Sequence, residues 1–137
     1  MRLQLLLCCL LAPLALSACG QAPADVPVAP PSQVMAVSTP PPAYPPEVAC
    51  MGGEGTSVLK VVIGTDGRPQ DINVLTSSGH PALDQAARTA VTGWEFRPAT
   101  RNGVASASTI QVPVTFRLPD ELPADCFAVQ ERMRRGG

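Results

Sequence analysis

The sequence predicts an α+β domain, a small antiparallel sheet with a helix packed on one face, in the order strand–strand–helix–strand. Three observations carry this. Residues 55–63 and 70–75 are β-rich runs on either side of Asp66-Gly67. Residues 83–94 repeat apolar side chains at spacings of three and four. Residues 108–118 alternate apolar and polar without a break.

In the first run, Ser57, Leu59, Val61 and Ile63 fall on one face of a strand, and Val58, Lys60 and Val62 on the other. Asp66-Gly67 predicts a two-residue type I′ hairpin turn, in which both central residues take φ > 0. The return strand, about Gln70 to Leu75, turns Ile72 and Val74 inward, and "TSSGHP" ends it. Pro81 suits the first turn of a helix, where its missing N–H costs nothing. Leu83, Ala86, Ala87, Ala90, Val91 and Trp94 then form one apolar stripe. Asp84 lies near the helix start, where the macrodipole favours a negative charge, and Gly93 ends the helix. "EFRPA" is a short extended piece, and Arg101-Asn102-Gly103 a turn. In the last strand, about Ser108 to Leu118, Ile110, Val112, Val114, Phe116 and Leu118 point inward.

Pro113 lacks a backbone N–H, which confines this last strand to a sheet edge with the proline's side facing away from the ladder. Gln111 and Thr115 share Pro113's backbone direction. The three residues are therefore the expected open edge.

The chain begins differently. Arg2 precedes Leu3 to Leu16, 14 residues that are almost all apolar. A membrane-spanning helix needs roughly 20. A positive start, a short apolar run and small residues at its end describe a secretory signal peptide, here residues 1–18. Leu16-Ser17-Ala18-Cys19 resembles the bacterial lipobox, which implies acylation of Cys19 and cleavage just before it. An ordinary signal peptide and an uncut signal anchor are the alternatives. Gly20 follows the cysteine, where aspartate would favour retention at the inner membrane in enteric sorting. The outer membrane is thus the preferred address within the cell envelope.

Without residues 1–18, 119 residues remain, enough for one small domain and a tether. Arg2 leaves with the signal, so nine basic and eleven acidic residues remain, and no nucleic-acid footprint is visible in a charge near −2. Arg132, Arg134 and Arg135 form a short basic end that reads as solvated, with contact to anionic lipid as the lesser reading. Five cysteines sort themselves: Cys8 and Cys9 lie in the signal, and Cys19 takes lipid. Cys50 and Cys126 are left, an even pair in an oxidising compartment, and a disulfide between them would enclose most of the domain. Two free or intermolecular thiols are the alternative.

Residues 20–46 contain nine prolines and a single charge, Asp25, with neither strand nor helix periodicity. They read as an extended, polyproline-like linker, spanning roughly 75 Å over residues 20–43 at about 3.1 Å per residue. The expected organisation is signal peptide 1–18, lipid anchor and linker 19–43, domain 44–118 and C-terminal tail 119–137.

"YPPEVA", "GEGTSVLKVVIGTDGRP", "VLTSSGHPALDQAARTAV", "GWEFRPATRNG" and "VPVTFRL" follow one another in the order and spacing of the TonB C-terminal domain family, which residues 44–118 resemble. The resemblance implies a periplasmic domain that binds the TonB box of a TonB-dependent outer-membrane transporter by β-augmentation, the partner peptide adding a strand to the exposed edge. Three departures stand out. A lipobox replaces the family's transmembrane helix. The linker is too short to cross a periplasm roughly twice its length. The basic residues usual after Tyr-Pro are missing from "PEVACMGGEG".

Enzymatic chemistry finds little support. Ser77, Ser78, His80 and Asp84 lie in one short stretch, whereas triad members converge from separate segments, and no nucleophile elbow is present. His80, the only histidine, reads as a turn residue before a helix. No metal or other cofactor is expected, because no Cys/His cluster has ligand spacing and Asp66-Gly67 lacks the further acids of a calcium loop. Trp94 and Phe96 read as core. The expected function is a lipid-anchored binding module. The alternatives are an assembly lipoprotein that keeps the fold without TonB-box binding, and a transducer with an uncleaved N-terminal anchor. A free sheet edge also admits a homodimer.

Overall fold

The computed structural model describes residues 27–137. The expected signal peptide, Cys19 and the first part of the linker lie outside the described residues. The elements are β1 (Met35–Ser38), α1 (Pro46–Cys50), β2 (Gly55–Ile63), β3 (Pro69–Thr76), α2 (Pro81–Thr92), β4 (Glu95–Arg97), β5 (Ala99–Arg101), β6 (Val104–Ser106), β7 (Ser108–Phe116) and α3 (Cys126–Arg135).

The central sheet is antiparallel in the order β3-β2-β7. The period-2 pattern of β2 sets its register. Ser57, Leu59, Val61 and Ile63 are all fully buried, and the alternate residues face outward. Val112, Val114 and Phe116 of β7 join them from one side, with half-buried Ile72 and Val74 of β3 on the other. Helix α2 covers this face with Leu83, Ala87 and Val91, each inaccessible to solvent. Burying a Leu, Val, Ile or Phe side chain contributes about 1.5–3 kcal/mol, so this one cluster holds the sheet to the helix. Pro81 begins α2, and Gly93 closes it at φ −90 with its N–H on Ala90 O. β7 ends at Phe116, so Leu118 lies beyond the strand, half-buried.

The turn at Asp66-Gly67 is not type I′. Of its residues only Gly67 has positive φ, +79°, and Asp66 does not. Gly67 N–H donates to Gly64 O and Gly64 N–H to Arg68 O, which makes a three-residue loop with glycine in the left-handed position. Asp66 Oδ1 accepts from Arg68 N–H at 3.0 Å, a local bond that favours this longer loop. A close approach fixes the glycine as well: a Cβ at Gly67 would lie 1.9 Å from Phe96 O. The two-residue turn with both φ positive occurs instead at Asn102-Gly103 (53° and 74°), joining β5 to β6 as a hairpin where only a turn was expected.

Residues 32–43, expected as part of an extended, polyproline-like linker, lie along the domain as a strap that leads into Tyr44. Ser32 and Thr100 exchange two backbone hydrogen bonds, at 3.1 and 3.2 Å. β1 pairs antiparallel with β4, Met35 opposite Arg97 and Ala36 opposite Phe96. Trp94 Nε1 donates to Pro40 O at 2.9 Å. Tyr44 donates its hydroxyl to Gly53 O and sets its ring edge-on to Phe116, 5.5 Å between centroids. Proline-free Ser32–Thr39 supplies the donors that the flanking prolines lack, which is why the strand forms there. The C-terminal segment also exceeds expectation. α3 buries Val129, donates from Gln130 Nε2 to Cys50 O, and is joined to α1 by the Cys50–Cys126 disulfide, Cα–Cα 5.2 Å.

Candidate functional site

β7 is an edge strand: among the described residues its only strand partner is β2. The ladder between them runs from Gly55 opposite Phe116 to Ile63 opposite Ser108 without a register shift. Just past the strand, Leu118 N–H donates to Glu54 Oε1 at 2.7 Å, and Glu54 is the residue before β2. Pro113 has no N–H to lend to this unbroken ladder, so the odd-numbered positions of β7 are the ones whose backbone groups face outward, and the even-numbered ones pair with β2. Pro113 stands opposite Val58, Gln111 opposite Lys60 and Thr115 opposite Thr56, so the three belong to one class of pair. All three are exposed on the sheet face opposite α2. The Thr56 and Thr115 hydroxyls lie 3.0 Å apart, a cross-strand contact that stiffens the end of the edge.

At the Ser108 end, β7 runs beside a groove of about 350 Å³. Thr109 and Ile110 form one wall, Thr100 and Arg101 of β5 another, and Ser32 and Val34 of the strap the third. The Ser32 and Thr100 hydroxyls, 2.7 Å apart, tie strap to hairpin across its base.

Ser77, Ser78, His80 and Asp84 do come together, in a knot that fastens the β3–α2 connection to the helix start. Ser77 Oγ donates to Asp84 Oδ2 at 2.5 Å, and Ser78 N–H to Asp84 Oδ1 at 2.8 Å. Ser78 Oγ donates to His80 O and accepts from His80 N–H. Burial pushes the Asp84 carboxyl up. The bonds from Ser77 and Ser78 outweigh it, and the carboxyl is held below the ordinary carboxylate range. The buried Ser57 hydroxyl adds to this field from β2 without a hydrogen bond of its own. No hydroxyl in the knot donates to the His80 ring, so the set does not form a nucleophile–base pair. Burial, and secondarily Glu54, push the Tyr44 phenol up, which keeps it a hydrogen-bond donor to Gly53 O.

Sequence reading placed Gln111, Pro113 and Thr115 on an edge and paired Cys50 with Cys126. It missed the groove walls, because Ser32 and Val34 carry no period that marks them as docked. The only hint was the proline-free Ser32–Thr39 interval in an otherwise proline-rich run.

Residues 40–118 match the family described as Gram-negative bacterial TonB protein, C-terminal. The chain is 44% identical over 79 residues to Protein tonB2 of Pseudomonas aeruginosa, an alignment covering 58% of this chain and 29% of that protein. It is 36% identical over 77 residues to Protein TonB of Vibrio cholerae, covering 56% and 32% respectively. The match thus spans about a third or less of each curated relative's length. A solution NMR structure of the Pseudomonas aeruginosa TonB CTD superposes with a TM-score of 0.56 at 29% identity, over 66% of this chain and 91% of that one.

Proposed function

The chain belongs to the TonB C-terminal domain family, and from that premise we propose that it is a non-enzymatic binding module of the cell envelope that captures an extended partner segment on the outer edge of β7. The partner class that fits is a TonB-dependent outer-membrane transporter offering a periplasmic strand. Acyl chains on Cys19 would hold the module at a membrane, the outer one by preference, facing the periplasm. A single acyl chain binds membranes only weakly, whereas several together anchor stably.

The observation that carries this reading is the unpaired side of β7, with Pro113 on it. In β-augmentation main-chain bonds supply the affinity and side chains a smaller part. Gln111 and Thr115 each offer an outward N–H and C=O, and Pro113 between them offers only a carbonyl. A partner strand would therefore pair at two positions and skip one donor.

The test is Thr115→Pro in the otherwise intact chain. It removes an outward donor without touching Val112, Val114 or Phe116, which hold β7 in the core. The expected result is loss of pull-down from outer-membrane extract with an unchanged circular dichroism spectrum. Undiminished capture by the folded variant would exclude this edge and favour an assembly lipoprotein that keeps the fold without strand capture.

A further inference from the structure

The described chain starts at Pro27 and runs at once along the tip of the β5–β6 hairpin. A Cβ at Gly103 would meet the Ala29 side chain at 3.9 Å, Pro31 borders a hollow with Arg101 and Asn102, and Ser32 is bonded to Thr100. Two apolar side chains stand out into solvent at this end. Val28 is 69% exposed, and Val104, opposite Arg101 in the hairpin, is 67% exposed. Arg101 is exposed too, and the ion pairs among the described residues, Arg68–Glu95, Arg134–Glu131 and Arg135–Glu131, do not involve it. It is the only charged residue in segments 27–43 and 98–110.

On the reading that Cys19 carries lipid, we infer that this end of the domain rests on the membrane that holds the anchor. Val28 and Val104 enter the interface, and Arg101 meets anionic head groups. Chain length favours this end over any other. Val28 follows Cys19 by nine residues, a reach of about 28 Å at about 3.1 Å per residue, so the hairpin tip is held closer to the attachment point than the rest of the fold. The charge pattern agrees, because a cation beside apolar side chains, with no acid near it in sequence, suits an anionic surface. The rival patch is on α3, where Phe127 is 81% exposed and shares a hollow with Arg134. There Glu131 already holds Arg134 and Arg135, and Asp120, Glu121 and Asp125 stand just before the helix, so an anionic surface gains little. The hairpin tip is too weak to recruit a free domain, since even one myristoyl chain gives only marginal membrane binding. It is strong enough to orient a tethered one. Each valine, about half inserted, favours the docked state about three- to tenfold. One cation near an anionic surface adds about fivefold. Docking by this end sets the Ser108 end of β7, which borders the groove beside the hairpin, nearer the membrane than the Phe116 end.

The experiment uses the mature chain, residues 19–137, with Cys19 coupled through a maleimide lipid to nanodiscs of phosphatidylethanolamine and phosphatidylglycerol. Cys50 and Cys126 are closed in their disulfide and do not react. A trace of gadolinium-chelating lipid then speeds the relaxation of amides near the surface. The expected result is that Gly103 and Val104 amides relax fastest in the domain. Val104→Asp, a change at an exposed hairpin position, should lower the docked-to-free ratio at least about threefold with amide shifts elsewhere unchanged. Phosphatidylcholine in place of phosphatidylglycerol should lower it about fivefold, and no change there overturns the part given to Arg101. Even relaxation over the whole domain, or a maximum at Phe127, overturns the docking and leaves the anchor reading standing. An unacylated Cys19 in protein purified from cells, read by mass spectrometry, overturns the anchor and with it the docking in cells.

Discussion

Replacing Cys50 and Cys126 together by serine should separate two layers of stability. The bridge spans 76 residues of sequence. Closing a loop of that length removes about 4.5 kcal/mol of denatured-state freedom in a chain-entropy treatment, and measured effects often fall short of that figure. For a domain of this size, each kcal/mol corresponds to about 4–8 °C in Tm, so a drop of about 18–36 °C is the upper expectation. The loss should not be spread evenly. α3 has ten residues, too short to hold as an isolated helix. Apart from the disulfide it is fastened by buried Val129 and the Gln130–Cys50 hydrogen bond. Those two contacts contribute about 3–4 kcal/mol at most, against an ordering cost of about 1–2 kcal/mol for every residue fixed. The core formed by Leu59, Val61, Leu83 and Val112 contains no residue of α3. Native-state hydrogen exchange on the double serine variant should therefore show α3 amides exchanging nearly freely while β2 amides remain protected. Protection of α3 at its original level, or a Tm within about 2 °C of the disulfide-bonded protein, would refute this reasoning.

Cys19→Ser should release the protein from membranes or leave the precursor uncut, which fractionation and mass spectrometry distinguish; a variant that behaves as wild type removes the lipobox reading. Asp84 has a lowered folded pKa, so its stabilising contribution is present above its unfolded value, about 3.9, and is lost as pH falls through the lower folded one. Urea midpoints should show Asp84→Asn less stable than wild type near pH 6, with the gap closing below about pH 4; a constant gap contradicts the assignment. Trp94→Phe deletes the bond to Pro40 O and should speed thermolysin cleavage within Val34–Val37 about two- to tenfold, the range set by one net hydrogen bond. An unchanged rate means that β1–β4 pairing alone holds the strap.

Where side chains repeat with a period, the fold was legible in the sequence. The alternation in β2 and β7 marks their inward faces, whereas the pairing of β7 with β2 does not follow from it. The Leu83–Val91 spacing gave the helix and its buried stripe. Pro113 gave the edge, because a missing donor constrains the backbone irrespective of context. The features that escaped depend on contacts between remote residues. β1 carries Met35, Ala36, Val37 and Ser38, all exposed, so no burial pattern marks it, and only β4 makes it a strand. α3 has little apolar surface and is placed by a covalent bond. The turn at Asp66-Gly67 was misjudged because dipeptide chemistry suits two geometries, and the approach of Phe96 to Gly67 bears on which is used. The groove shares this limit: its walls come from three segments that meet only in the folded chain.

The docked strap changes how far the domain can roam. If Cys19 carries the lipid, as proposed, the reach from the membrane attachment to the first docked residue, Ser32, is bounded by the length of the intervening chain, about 40 Å at about 3.1 Å per residue. A free chain as far as residue 43 would have allowed roughly 75 Å. The accessible half-sphere shrinks about sixfold, so a partner segment emerging near the same membrane meets the open edge at an effective concentration of roughly 12 mM rather than about 2 mM. Affinities in the millimolar range, too weak to matter between free molecules, would then give substantial occupancy beside the anchor and almost none beyond it.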